Sequence, residues 1–147
     1  MTMNQQIKSN RPITGSGALN HYAELIDDLA RFEPEIEAAL SYAEGTHTYD
    51  DIVQMVLQGR LFFKALDKSY LLIEIINYPR SNHLNVFLAG GDLEEILNTQ
   101  KDLEDMARSH ECSHITLSGR KGWLKPLSKQ GWRYSHATIV CEVSKDG

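Results

Sequence analysis

The chain is poor in cysteine and in long apolar runs, and it lacks the short catalytic signatures. Cys112 and Cys141 are the only two cysteines in 147 residues, and they form no C-x-x-C. Both are expected as reduced thiols in a cytosolic setting. No apolar stretch approaches the roughly 20 residues of a membrane span. The opening MTMNQQIKSNRPITGSG is polar and has no apolar core of a secretory signal. There is no G-x-S-x-G, no Walker pattern and no H-E-x-x-H. Basic residues are outnumbered, 15 against 20 acids, for a formal net charge of -5. That balance argues against a dedicated nucleic-acid binder.

What remains is an ordinary soluble composition, 41% hydrophobic and 24% charged, long enough for one domain with one core. The charge is segregated. Asp92 to Asp105 is acidic, whereas Arg120 to Arg133 carries Arg120, Lys121, Lys125, Lys129 and Arg133 with no acid between them. Solvated helix faces of opposite sign account for this pattern; a basic docking patch is the alternative.

Met1 to Gly17 is rich in Asn, Gln, Ser and Gly and is expected to form a flexible arm, leaving 18–147 as the domain. Leu19, Tyr22, Ala23, Ile26 and Leu29 recur at helical spacing. Pro34 suits the start of a second helix, which Gly45 ends. Thr48 and Asp51 form a capping box for a third, with Ile52, Val53, Val56 and Leu57 as its apolar stripe and Gly59 as its stop. Three short β-rich runs come next, RLFFKAL, SYLLIEIINY and HLNVFLAG, joined closely enough for an antiparallel meander. Asp92 and Glu95 read as the capping box of one long helix to His110, with Leu93, Ile96, Leu97, Leu103, Met106 and Ala107 on its buried face. SHITLSG is then a strand parallel to HLNVFLAG through a right-handed crossover. KGWLKPLSKQG is a short helix, and WRYSHATIVCEV is expected as a closing strand. The class is α+β, a mixed sheet with N-terminal helices, a crossover helix and a short C-terminal helix.

Several residues invite a chemical reading. Strand, glycine pair and helix start at Ala89, Gly90 and Gly91 have the grammar of a phosphate-binding loop. Against it stands Asp92, whose carboxylate would satisfy the N–H groups that a phosphate needs. Glu74 lies among apolar neighbours in LLIEIINY, where burial would raise its pKa; the plainer expectation is a Glu on the solvent side of an alternating strand. Tyr78, Tyr134 and His136 are further acid–base candidates. HECSH, His110 to His114, would place Cys112 and His114 on one face of a strand, but a metal site needs a second cluster and none appears. Trp123 and Trp132 flank the short helix and are expected to anchor it to the sheet, although aromatics between bases also suit single-stranded nucleic acid.

Four segments, Thr48-Tyr49-Asp50-Asp51-Ile52, Tyr78-Pro79-Arg80, Leu88-Ala89-Gly90-Gly91-Asp92-Leu93-Glu94-Glu95 and Gly119-Arg120-Lys121-Gly122-Trp123, occur in an order that resembles GNAT-like proteins encoded by tailed bacteriophages. The resemblance spans Leu19 to Val143 and implies the GNAT acetyltransferase fold. It also implies a loop of Gln/Arg-x-x-Gly-x-Gly/Ala type for the acetyl-CoA pyrophosphate. Leu88 to Asp92 is shorter and has no Arg, Lys or Gln, and Arg120 falls near a position where active enzymes carry Asn. Those enzymes also have a Tyr four residues before a Gly-Phe pair; here Leu127 precedes Gly131-Trp132. These departures point to a non-catalytic phage protein without cofactor or metal, virion-associated or acting in assembly. It would be found in the host cytoplasm and the virion, with a phage structural protein, a host protein or itself as partner. The alternative is an acyl-CoA-dependent N-acetyltransferase with a divergent cofactor loop. In that case Glu74, Tyr78 and Tyr134 are the catalytic candidates, and Ala89, Gly90, Gly91 and Arg120 the cofactor candidates.

Overall fold

A computed structural model describes residues 16–145, with side chains from Asn20 onward. Three helices come first: α1 (Ser16–Arg31), α2 (Glu33–Leu40) and α3 (Tyr49–Leu57). The meander β1 (Phe62–Ala65), β2 (Tyr70–Asn77) and β3 (Asn82–Gly90) is next. Two helices, α4 (Leu93–Leu97) and α5 (Gln100–Ser109), cross over to β4 (Cys112–Leu117). A 3-10 turn (Lys121–Trp123) leads into α6 (Leu124–Ser128). The flexible arm expected over Met1 to Gly17 lies outside the described residues, apart from Ser16 and Gly17 at the start of α1.

Local chemistry explains the helix ends. The Asp51 N–H donates to Thr48 Oγ1 (3.2 Å) and the Thr48 N–H donates to Asp51 Oδ2 (2.9 Å), so the expected capping box starts α3. Gly59 ends α3 with φ 74°, in the left-handed region that glycine enters at no steric cost. Arg31, at the end of α1, donates to the Leu66 carbonyl (2.7 Å) and ties that helix to the β1–β2 turn.

The sheet order is β1-β2-β3-β4. β1–β2 and β2–β3 are antiparallel, and β3–β4 is parallel, with Leu84 opposite Ile115 and Val86 opposite Leu117. One face buries Phe63, Tyr70 and Leu72 beneath Leu25, Leu29, Phe32, Ile36, Ile52 and Val56 of the three N-terminal helices. The other buries Leu71, Ile73, Leu84 and Val86 beneath Ile96, Leu103, Met106 and Ala107 of the crossover. Alternation along the strands supplies both apolar faces.

Four expectations need correction. The α1 stripe is Tyr22, Leu25 and Leu29, continued by Phe32 just past the helix, and Ala23 and Ile26 are exposed, because the helix turns its i, i+3, i+7 row to the sheet. The crossover is two helices, interrupted at Asn98 and Thr99; Leu93 is exposed. Thr99 is buried and donates to the Ile96 carbonyl (2.6 Å), a side-chain bond that competes with helix continuation. The Asp92 capping box is only half made: the Glu95 N–H donates to Asp92 Oδ1 (3.0 Å), but the Glu95 carboxylate instead accepts from the Lys68 N–H (2.9 Å). Finally, WRYSHATIVCEV forms neither helix nor strand and joins no ladder; the sheet has four strands among the described residues.

Candidate functional site

Two bulges shape the sheet. Leu72 pairs with Leu88 and Ile73 with Val86, so Phe87 is an extra residue in β3. The β3–β4 ladder also ends there, at Val86 and Leu117, while β3 continues to Gly90. From Phe87 to Gly90 the β4-facing edge of β3 therefore has no ladder partner. A bulge beside a parting pair of strands is a frequent setting for a binding site.

Just below the bulge, a polar row crosses three strands. Thr116 Oγ1 donates to Asn85 Oδ1 (2.9 Å), and Asn85 Nδ2 donates to Glu74 Oε2 (3.1 Å). Asn85 is 8% exposed, and both its amide nitrogen and its amide oxygen take part in this chain of bonds. The register places the three residues side by side, Glu74 opposite Asn85 and Asn85 opposite Thr116. Glu74 is half-buried and does not stand free on the solvent side. Its carboxylate accepts from an amide that Thr116 holds from the other side, which orients one oxygen and leaves further lone pairs to accept.

The connection between α2 and α3 overhangs this region. His47 packs edge-on against Phe87 with ring centroids 5.0 Å apart, and its Nδ1 lies 2.8 Å from Thr46 Oγ1. The Arg120 guanidinium lies 4.6 Å above the Tyr42 ring centroid. Arg120 is exposed and sits three residues beyond the end of β4. A carboxylate, an oriented amide, a hydroxyl, an imidazole and a guanidinium thus border the place where β3 and β4 part. Asn85 and Thr116 were not legible as site residues because only the pairing register brings them to Glu74, and His47 and Tyr42 were not because only the tertiary fold sets them against Phe87 and Arg120.

The glycine pair has a different role. A Cβ on Gly91 would lie 2.6 Å from Ser69 Cα and would run into the Lys68 carbonyl oxygen, and φ there is 116°. A Cβ on Gly90 would lie 2.9 Å from Tyr70 Cε1. Ser69 is buried against this turn: its Oγ accepts from the Asp92 N–H (2.9 Å) and donates to the Asp92 carbonyl (3.2 Å). The two glycines let the chain pass over the start of β2. The N–H groups of Asp92 and Glu95 are already taken by the chain's own oxygens. Ala89 is half-buried and packs against the crossover-side core.

The other candidates are dispersed. Tyr78 lies at the far end of the sheet, half exposed, edge-on to His83 at 4.9 Å. His83 also packs against His114, with centroids 4.6 Å apart. Burial first, and then the neighbouring His114, hold the His83 pKa below its ordinary value. Tyr134 and His136 are exposed in the unpaired C-terminal segment. In HECSH, Asn82 pairs with Cys112 and His83 with His114, so Ser113 is an extra residue and the alternation breaks. Cys112 packs toward the crossover helices while His114 lies against His83, so the two do not share a face. Burial pushes the Cys112 thiol pKa up, which favours an inert thiol. Among the described residues there is no group of three or more His, Cys, Asp or Glu that could hold a metal ion. His110 caps α5 and its ring lies 5.9 Å from that of Phe62. Trp123 packs on the crossover-side core of the sheet as expected, whereas Trp132 ties to the crossover helix instead, its Nε1 donating to Gln100 Oε1 (3.0 Å).

No protein-family model and no curated protein matches the chain. Solved structures do resemble it. A Trypanosoma brucei acetyltransferase aligns with a TM-score of 0.54 at 13% identity, covering 77% of this chain and 94% of the other. A probable acetyltransferase aligns with a TM-score of 0.59 at 8% identity, covering 81% and 94%. An aminoglycoside acetyltransferase from an uncultured soil metagenomic sample gives 0.57 at 10% identity, covering 85% and 93%. Such likeness at low identity defines the fold, which is GNAT-like, and goes no further.

Proposed function

We propose that this GNAT-fold protein comes from a tailed bacteriophage and works through protein contacts, in the virion or its assembly, without acetyl transfer. The observation that carries this reading is the closed glycine turn. Lys68 and Ser69 fill the space at Gly91, and Ser69 Oγ and Asp92 Oδ1 accept the N–H groups of Asp92 and Glu95. A diphosphate would have to displace those oxygens and sit beside the Asp92 carboxylate, a like charge. The helix after the turn has only five residues, so its dipole is short. The residues present do not fit the diphosphate of acetyl-CoA. Isothermal titration with acetyl-CoA and with CoA at high protein concentration tests this: no saturable heat is expected, and stoichiometric binding of either would overturn the reading.

A second reading, the N-acetyltransferase, is favoured by one observation. The Thr116–Asn85–Glu74 row lies beside the Phe87 bulge, where β3 leaves β4. Glu74 could accept a proton from an acceptor amine there. On that reading Glu74→Gln lowers acetyl transfer by roughly 100-fold or more, the usual range for a lost general base.

A further inference from the structure

Two surfaces of opposite charge lie on opposite faces of the sheet. Residues 16–59, which span α1 to α3, carry nine acids and one base, and that base, Arg31, is turned to the Leu66 carbonyl and the Phe32 ring. Residues 120–133, around α6, carry five bases and no acid. The N-terminal helices cover one face of the sheet. α6 belongs to the other: Trp123 joins the crossover-side core, and Gln100 Nε2 of α5 donates to the Gln130 carbonyl (3.0 Å).

The acidic surface has a focus at Tyr49, a half-buried ring packed on the core beneath the N-terminal helices. Burial first, and then the charges of Glu33, Asp50 and Glu37, hold the Tyr49 phenol above its ordinary pKa, so three carboxylates converge there. No described salt bridge engages them. The other acidic run, 92–105, is largely engaged within the chain. Asp92 and Glu95 accept backbone N–H groups, and Glu104 and Asp105 pair with Arg108.

α6 presents the matching half. Lys121, Lys125 and Lys129 recur every fourth residue, so they line one side of the 3-10 turn and helix over about 12 Å. All three are exposed, and Leu124 beside them is 41% exposed. An apolar side chain within a charged rim is a common make-up of a contact surface. Arg120 is held over the Tyr42 ring and is left out of the contact.

We infer that the lysine side of α6 in one copy docks on the Glu33, Glu37 and Asp50 surface of a second copy of this chain. The chain cannot make this contact with itself, because its own sheet stands between the two surfaces. A two-fold pair cannot make it reciprocally, since surfaces on opposite faces point away from each other. The contact is therefore heterologous, and copies joined this way grow head to tail into rings or fibres. Both halves are present on every copy, so no further component is needed. Complementary charge sets the register, and like charge disfavours acidic-on-acidic and basic-on-basic pairings.

The inference rests on the reading that the chain works through protein contacts. Sedimentation velocity of the full chain at low and high salt tests it, with two triple variants. One carries Glu33→Gln, Glu37→Gln and Asp50→Asn; the other carries Lys121→Gln, Lys125→Gln and Lys129→Gln. None of the six residues is buried, so both variants keep the fold, which thermal unfolding verifies. The parent is expected to form species beyond a dimer as concentration rises at low salt, and to dissociate as salt rises. Each variant alone should associate at least about tenfold more weakly. Mixed one to one, the variants should pair with each other and stop at the dimer, because each keeps only one working surface. A parent that stays monomeric at low salt would overturn the inference and turn the search to a different protein partner. A parent that stops at a dimer, a variant that assembles like the parent, or a mixture that does not pair would overturn it too. Stoichiometric CoA binding would instead overturn the underlying reading and leave the head-to-tail assembly in place.

Discussion

At the residue scale, Gly91 and Asp92 decide what the loop after β3 can do. A methyl group at Gly91 meets the backbone of Lys68 and Ser69, and the positive φ adds strain whatever space is made. Gly91→Ala is expected to cost on the order of 1–3 kcal/mol; Asp92→Ala, which removes a cap, about 1 kcal/mol. Urea denaturation reads both, and a Gly91→Ala protein as stable as the parent would refute the steric role. The His83–His114 pair gives a pH prediction. The folded pKa of His83 is lowered, by burial first and by His114 second, so protonation favours the unfolded chain. Its contribution is therefore full above the unfolded value of about 6.5 and is lost as pH falls through the folded value. Tyr78, Ser81 and His114 are the groups that face it. His83→Gln should flatten the fall in Tm between neutral and mildly acidic pH, and an unchanged profile would exclude the pair as its source. Asp92 as a cap was legible in the sequence because a cap is local. The Asn85 link to Glu74 was not, since those residues lie eleven apart and meet only through the register.

At the element scale, the capping box of α3 is the most self-contained prediction. Thr48→Ala should lower stability by about 1 kcal/mol in thermal or urea unfolding. The backbone and hydroxyl of Thr48 hold the Asp51 carboxyl below its usual range, so this support is present above ordinary Asp values and fades as pH falls through the folded value. Asp51→Asn should weaken that acid dependence, and no change would show that the box contributes little. The helices, the meander and the parallel crossover were legible because each arises from a local period or a short connection. The bulges at Phe87 and Ser113 were not, because one extra residue leaves composition and alternation almost unchanged while flipping every side chain beyond it to the other face. The interruption at Asn98 and Thr99 was hidden in the same way inside a continuous apolar stripe. The C-terminal segment is legible as extended, β-branched sequence, but whether such sequence pairs depends on an edge elsewhere, and a periodicity carries no record of it.

At the scale of the whole molecule, the segregated charge is the feature that a partner would meet. Arg120, Lys121, Lys125, Lys129 and Arg133 are all exposed around α6, and the described salt bridges of the chain involve Arg108 with Glu104 and Asp105 instead. Arg120 is braced on Tyr42, which leaves the lysines as the adaptable part of the patch. Exposed charges of this kind add little to the fold, so their reversal should hardly move stability. Their effect on a long-range encounter is larger and depends on ionic strength, because the Debye length shrinks from about 10 Å at 0.1 M salt to about 3 Å at 1 M. If the basic patch docks an acidic surface, whether of a virion protein or of a second copy, complexes should form readily at low salt and weaken as salt rises. Lys121→Glu with Lys125→Glu and Lys129→Glu should abolish that salt dependence while leaving Tm within about 2 °C, as for surface changes within about 0.5 kcal/mol. Sedimentation velocity across a salt series, on the parent and the triple variant, measures it. Association that ignores both salt and charge reversal would move the contact away from α6.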